Sequence, residues 1–515
     1  MNYLDYMQMT RGQQIAYKIK SFFTGIPGAI KNLISIIVFF FKTVFKFIGN
    51  GFKGYGQRFV KGDIGTKLSY LFMGMGNIFH GQFMKGLIFL AVEVGYFCYM
   101  IFFGVYWISM LYCVEVDIPN DGAGHHIIQD GVLGNQAEMQ IPDALGIMHQ
   151  VEGSDSMKIL LFGVLSILIS VAFFVVYIVN TKSAYKTQLV KAAGEKNISF
   201  IAEMKMFLDE RFHVTMLFIP VVGLLSFTVL PIVFTIFIAF TNYDQSHQPP
   251  HLLFWWVGLQ NFADVFYANP MKSHTFGMIL AWTLVWAVFA TFSNYVAGII
   301  LALLINKKGI KFKAFWRTVF VVTAAVPQFV TLLLMNLLFR DDGSINLMIS
   351  TAVGHTVTIK WITDPLLAKI FVIVVNMWVG VPYTMLITSG LLMNIPEDLY
   401  ESARIDGANA VQQFTKITLP YIFFVTTPYL ITTFVGNVNN LNVIYLLTGG
   451  GPASTDYYQA GQTDLLVTWL YKLTVTQKDY NLAAVIGIMV FILCATGSLI
   501  TFNMSKASKN EEEFS

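Results

Sequence analysis

Apolar residues in this chain fall in long unbroken runs separated by short charged stretches, without the alternation that marks a half-buried soluble strand or helix. Eight runs reach the roughly 20 apolar residues a helix needs to cross hydrocarbon. They are 84–112, 158–180, 214–241, 277–305, 316–339, 367–393, 421–447 and 481–503. The pattern predicts an all-α integral membrane protein with about eight transmembrane helices. A further apolar segment, 32–48, contains Lys42 and Lys46 and follows a basic stretch with Arg11, Lys18, Lys20 and Lys31. It reads as an additional N-terminal interfacial or re-entrant helix whose lysines reach the headgroups, since a lone crossing would leave the basic stretch outside. Residues 68–80 are too short and glycine-rich to span comfortably. Crossing by both 32–48 and 68–80 is the alternative, and it would leave the basic loop 49–67 outside.

The charges between the runs orient them. Residues 49–67, 181–213 and 306–317 are rich in Lys and Arg, whereas 113–157 has neither and carries Glu115, Asp117, Asp121 and Asp130. The positive-inside rule puts the basic loops in the cytoplasm and the acidic loop outside, and it puts 394–420 and the C-terminus inside too. The expected organisation is an accessory N-terminal membrane region, 1–213, holding the interfacial helix 32–48, the spans 84–112 and 158–180 and the acidic external loop 113–157. A transport core of six spans, 214–503, and a cytoplasmic tail, 504–515, follow.

Composition narrows the class further. The chain is 55% hydrophobic with a mean hydropathy of +0.61, and 12% of its residues are charged, about half the soluble norm. The net charge of +3 comes from loops between spans and does not point to nucleic acid. Three cysteines make no disulfide framework, and the first apolar run lacks a small-residue cleavage site. His125, His126 and His149 have no metal-ligand spacing, Gly449–Gly451 precede no phosphate-loop lysine, and no nucleophile–base set stands out. The reading is therefore not an enzyme, with no cofactor and no metal. Trp255 and Trp256 suit a headgroup-level anchor, and Glu93 is an intramembrane acid without an assigned role.

One polar stretch is patterned like a folded element. In 394–420, Pro396, Glu397 and Asp398 suit a first helical turn, Asp406-Gly407 is a break, and Asn409–Ile417 reads as a second amphipathic helix stopped by Pro420. A rigid, partly apolar hairpin on a membrane surface reads as a docking knob for a soluble partner. Within the spans, Thr433, Asn437 and Asn440 fall at i, i+4 and i+7, on one helix face beside Gly436. Asn376, Gly380 and Tyr383 share a face of another span, near Pro382 and Trp378. Polar groups in hydrocarbon usually face a bundle interior or a wet cavity. Asn and Thr offer donors and acceptors to sugar hydroxyls, and the two rings offer stacking surfaces; interhelical hydrogen bonding is the alternative reading of the asparagines.

The hairpin resembles the cytoplasmic signature of ABC-importer permeases: Glu401-Ser402-Ala403, Gly407, then Ile417, Leu419 and Pro420, with Ser402 in place of an alanine. Over 214–503 the runs LPIVFTIFIAFTNYD, FWWVGLQNF, DPLLAKIFVIVVNMWVGVPYTM, LLTGGGP and AGQTDLLVTWLYKL resemble the MalF-type maltose/maltodextrin permease subunits. That resemblance implies a six-helix type I ABC-importer permease core, with 394–420 as the hairpin coupled to a separate ATPase. It carries the family's sugar site onto Val379, Gly380, Tyr383, Thr433, Gly436, Asn437 and Asn440. Two departures matter. The loop 242–276 is too short for the external domain of the best-known relatives, and Gly436 stands where they place an aromatic ring. The implied partners are a MalG-like second permease subunit, two MalK-like ATPase subunits, an extracytoplasmic maltose/maltodextrin-binding protein, the sugar and the lipid bilayer of a bacterial-type cell membrane. A secondary transporter would carry coupling-ion residues and a repeat, and neither is evident.

Overall fold

The computed structural model describes residues 49–120, 125–142, 145–307 and 309–504, together with 35, 38, 39, 42, 43, 45 and 46. The expected interfacial helix 32–48 and the tail 504–515 therefore lie largely outside the described residues. Among the described residues, seven helices are long and apolar enough to cross a membrane, or eight if a sharply bent pair counts as one span. The chain divides into two compact units, one of Ile36–Asn261 with Asp479–Asn481, the other of 262–478 with 482–504. The divide falls at Asn261–Phe262, while the charge pattern had suggested a boundary at 213.

In the N-terminal unit, α1 (Ile64–Leu68) is capped by Asp63, whose carboxylate accepts from the Thr66 amide at 2.8 Å. The chain then leaves helical form before α2 (Met75–Phe79) and α3 (Phe83–Ser109). Gly74, at φ +84°, sits so close to α3 that a Cβ would lie 1.9 Å from the Gly86 carbonyl oxygen. Buried side chains take up the amides freed by this break. Met73 N donates to Glu93 Oε2 at 2.8 Å, Gly74 N to Asn180 Oδ1 at 2.9 Å, and Gly76 N to Ser69 Oγ. Irregular backbone beside apolar helices persists only where protein satisfies it. Glu93, only 6% exposed, is one of the three acceptors that do so.

Helix α4 (Ser156–Ala192) outruns its apolar stretch by about three turns, and α5 (Phe200–Leu208) and α6 (Phe212–Ile238) follow. A π-helical turn at Leu225–Val229 comes just before Pro231, which lacks the amide the regular ladder would use. Between α3 and α4 the acidic loop folds into two antiparallel hairpins, β1 (Val116–Asn120) with β2 (His125–Gln129) and β3 (Met139–Pro142) with β4 (Met148–Val151). Val116, Val132, Ala137 and Leu253 form a small core under them. Trp255 and Trp256 are stitched into this layer: Trp255 bridges Val132, and the Trp256 indole donates to Leu111 O at 2.8 Å. Both thereby pin the loop.

The C-terminal unit is organised around α7 (Pro270–Asn306) and α11 (Pro365–Met393). Gly298 lets the two backbones approach, since a Cβ there would meet the Thr384 Cβ at 2.5 Å. The expected single span 316–339 is instead two helices, α8 (Lys313–Ala325) and α9 (Gln328–Leu338), bent by 79°. Pro327 causes the break: it forces the preceding Val326 to ψ 127°, out of the helical region. Helix α10 (Ser344–Val353) precedes α11, and the hairpin helix α12 (Glu397–Ile405) follows it.

The second hairpin helix does not stop at Pro420. It runs as α13 from Ala410 to Val438, through a π turn at Phe414–Thr418 that places Pro420 at the start of a new helical register, where its missing amide is harmless. The expected span 421–447 also breaks, at Asn439–Asn440, before α14 (Leu441–Thr448). Gly449 and Gly450 turn the chain at φ +60° and +80° against the buried Asp464. Asp464 accepts from Lys472 Nζ at 2.6 Å, at the end of α15 (Leu466–Lys472), and α16 (Tyr480–Met504) closes the chain.

Candidate functional site

The C-terminal unit encloses a cavity of about 530 Å³ between α7, the α8–α9 break, α11 and α13. Five of the seven residues expected at a sugar site line it: Val379, Gly380, Tyr383, Thr433 and Asn437. The other two do not. Gly436 faces open space, with no atom within 4 Å of a Cβ placed there. Asn440 caps α14, its side chain accepting from the Val443 amide at 3.1 Å. Its i+7 relation to Thr433 assumed a continuous helix, and the chain breaks just before it.

The cavity also gathers polar residues that the sequence reading passed over: Asn294, Thr323, Gln328, Thr331, Thr384 and Tyr429. Asn376, noted from its helical face, joins them. Asn294 Oδ1 and Asn376 Nδ2 are buried without a hydrogen-bond partner in the protein. One is an acceptor and the other a donor, and a buried polar atom left unmet is costly. Asn294 could have been suspected, as the lone amide of the apolar run 277–305, one turn before Gly298. Gly380 makes its position possible, because a Cβ at 380 would lie 2.3 Å from Asn294 Nδ2.

Other polar groups at the cavity are already engaged in holding the helices. Asn437 Nδ2 donates to Thr291 Oγ1 at 3.0 Å, and its backbone carbonyl accepts from the Trp286 indole at 3.0 Å. Asn437 thus pairs helices while bordering the space. The Tyr429 hydroxyl lies 3.3 Å from Thr384 Oγ1. Two rings face the space from α11, Trp378 at 58% and Tyr383 at 50% exposure. Pro382 has no amide to offer the Trp378 carbonyl one turn back, so the helical ladder of α11 lacks that bond beside the cavity. The lining thus combines donors, acceptors and aromatic faces, the set that recognises a polyhydroxylated ring.

At the far end of α11 the hairpin is built by local rules. α12 ends in a Schellman motif: Gly407 N donates to Arg404 O at 3.0 Å and Ala408 N to Ala403 O at 2.8 Å, with Gly407 at φ +77°. Nothing lies within 4 Å of a Cβ built there, so backbone handedness within the chain itself accounts for the glycine. Asn409 starts α13 with a capping box, exchanging bonds of 2.9 and 2.8 Å with Gln412. The Tyr400 hydroxyl meets Thr418 Oγ1 at 2.8 Å and ties the two helices. Leu399, Ile405 and Val411 are left exposed, Ile405 at 86%, with Glu401 and Ser402 beside them. Of the signature residues, Ile417, Leu419 and Pro420 lie on the π turn and the start of the following helical register.

A multi-span helical unit with a polar cavity among its helices and an exposed helical hairpin fits a membrane transport protein. Residues 294–508 match the family described as the binding-protein-dependent transport system inner membrane component. Over 440 residues the chain is 33% identical to the galactooligosaccharides transport system permease protein GanP of Bacillus subtilis, covering 85% of this chain and 96% of that one. It is 34% identical over 448 residues to the maltodextrin transport system permease protein MdxF of the same organism, covering 85% and 95%. With the maltose/maltodextrin transport system permease protein MalF of Vibrio vulnificus it shares 37% identity over 259 residues, 49% of each chain. The chain belongs to the binding-protein-dependent transport system inner membrane component family, among its MalF-type sugar permeases.

Proposed function

We propose that this chain is one half of the translocation path of a maltodextrin importer, moved by a separate ATPase through the hairpin 394–420. The observation that carries the sugar reading is the cavity, whose lining brings Asn294 and Asn376, each with a buried amide atom unmet in the protein, together with two aromatic rings. A sugar hydroxyl donates and accepts at once, and a glucose ring offers an apolar face for stacking. The Bacillus maltodextrin relative, similar along nearly its whole length, supports that substrate class. Val379, Gly380, Tyr383, Thr433 and Asn437 are the proposed sugar-contacting residues from the original set, joined by Asn294 and Asn376. In this reading 214–503 is the transport core and 1–213 an accessory region.

The chain has no phosphate-loop lysine, so ATP hydrolysis falls to partner subunits. Exposed Leu399, Ile405 and Val411 make the hairpin a surface to be covered, and Glu401 is placed to pair with a basic residue of an ATPase. Two MalK-like ATPases, a MalG-like second permease and an extracytoplasmic binding protein complete the assembly, in a bacterial plasma membrane with the C-terminus in the cytoplasm. Closure of the ATPases on nucleotide would shift the hairpin and swing α11 and α13 about the cavity. Uptake of labelled glucose oligomers and galactooligosaccharides by the reconstituted complex tests the reading. ATP-dependent accumulation of glucose oligomers is expected. Uptake restricted to galactooligosaccharides would replace the substrate, and uptake without ATPase subunits would overturn the mechanism.

A further inference from the structure

The N-terminal unit has a second cavity, about 300 Å³, that the transport reading leaves unused. It is lined by Lys85 of α3, Lys182 and Lys186 one turn apart on α4, and Arg211 just before α6, with Glu203 of α5 as its lone acid. Glu203 is already bound to Lys85 Nζ at 2.5 Å. Among the described residues no carboxylate lies within ion-pair reach of Lys182, Lys186 or Arg211. Three uncompensated cations around one pocket repel each other unless an anion joins them.

The position of the pocket says which anion. The apolar run of α4 ends at Asn180, so Lys182 and Lys186 stand about 3–9 Å further along the helix, the depth of lipid phosphates. Val179 and Ile198 line the same pocket and are 49% and 51% exposed. On α5, Ile201, Met204 and Leu208 recur at i, i+3 and i+7 and are 70%, 47% and 68% exposed, an apolar face laid beside the cations. A soluble phosphate would use the charges and leave that face bare. A phospholipid uses both.

We propose that this pocket binds the phosphate of an anionic phospholipid, whose acyl chains cover Val179, Ile198 and the apolar face of α5. Lys182, Lys186 and Arg211 hold the headgroup, while Gln82 and Asn197 hold the loop that shapes the pocket, donating to Ile198 O at 3.0 Å and to His80 O at 2.9 Å. The site is distinct from the sugar cavity and independent of which sugar is carried. The test is native mass spectrometry of the full-length chain in its complex, titrated with phosphatidylglycerol and with phosphatidylcholine. The triple variant K182Q/K186Q/R211Q should weaken phosphatidylglycerol binding roughly a hundredfold. The charge-matched control K61Q/K196Q/K205Q should stay within about twofold, and K182R/K186R should bind as the parent does. Equal loss in both triple variants would mean diffuse surface attraction and overturn the site, as would equal affinity for phosphatidylcholine. Inorganic phosphate occupying the pocket as tightly as the lipid does would overturn the lipid assignment. Sugar uptake by the triple variant in zwitterionic vesicles checks that it is folded.

Discussion

Replacing Gly380 by alanine puts one methyl group where the structure has no room for it. The added Cβ would lie 2.3 Å from Asn294 Nδ2, 2.7 Å from its Cγ and 3.0 Å from its Oδ1. Ordinary contact needs about 3.4 Å or more, so the amide has to retreat by roughly 1 Å or α7 and α11 have to part. Overpacking of this kind costs about 1–3 kcal/mol. Gly298 and Thr384 touch on the same seam, so parting the helices would also open that contact. Thermal unfolding of the purified complex should therefore fall by several degrees. Sugar affinity should fall about tenfold if Asn294 leaves the cavity, the worth of one hydrogen bond at roughly 1–1.5 kcal/mol.

The decisive comparison is Gly380→Ala together with Asn294→Ala. Removing the amide makes the room that the methyl needs, so the double variant should regain most of the lost thermal stability. It should not regain sugar affinity, because the acceptor is gone. A coupling of about 1–2 kcal/mol between the two positions is expected from their direct contact. A Gly380→Ala protein with parental melting and parental affinity would refute the packing argument. A double variant no more stable than the single would refute it as well.

Glu93→Leu leaves the Met73 amide without its acceptor and should destabilise the N-terminal unit by about 1–3 kcal/mol, whereas Glu93→Gln keeps an acceptor and should lose much less; thermal-shift measurements on both variants compare them. Gly407→Ala should cost about 1 kcal/mol through its left-handed backbone, while Gly407→Asn is better tolerated; ATPase association by co-purification reads both, and an aspartate there that left assembly and transport intact would contradict the hairpin's role. Burial pushes the Asp244 carboxyl up, but its bonds to His247 and to the Ser246 and His247 amides outweigh that and hold it below the usual 3.8. A depressed carboxyl contributes stability above pH 3.8 that is lost as pH falls through its folded value, so the melting temperatures of Asp244→Asn and the parent should differ at neutral pH and converge in acid.

The spans were legible because crossing hydrocarbon is a local requirement, met or failed within about 20 residues. Their interruptions were not. Pro327 was visible, but the apolar run passes through it unbroken, and whether a proline bends a span depends on what fills the space beside it. Pro420 misled in the other direction. A proline ends a helix only if its residue sits in the interior of a regular ladder, and a π turn moved it to the start of one. The resemblance carried Asn440 into the sugar site, and its shared face with Thr433 came from counting along a helix that stops two residues earlier, at Val438. Asn294 escaped notice because a single amide carries no periodicity. Its meaning comes from Gly380, some 86 residues away and against it only in the fold. The stretch Gly131–Leu133 that links the two hairpins of the loop 113–157 pairs with the segment 254–256, a partner that no pattern within the loop reveals.

The unmet amides also bear on how tightly such a cavity should hold a sugar. Asn294 Oδ1 and Asn376 Nδ2 have no partner within the protein, and a sugar hydroxyl that reached them would gain about 0.5–1.5 kcal/mol net for each bond. A ring stacked on Tyr383 or Trp378 adds roughly another 0.5–1.5 kcal/mol. Together these reach about 4.5 kcal/mol at most, which corresponds to a dissociation constant of about 0.5 mM. A path that must release its cargo on the other side gains nothing from holding it more firmly. Tight capture then has to come from a separate binding protein, and discrimination between oligomers from which rings can reach the two aromatic faces at once. Equilibrium binding by the permease without its binding protein, measured on the resting complex, should accordingly fall in the millimolar range; micromolar affinity would mean that groups beyond these lining residues hold the sugar.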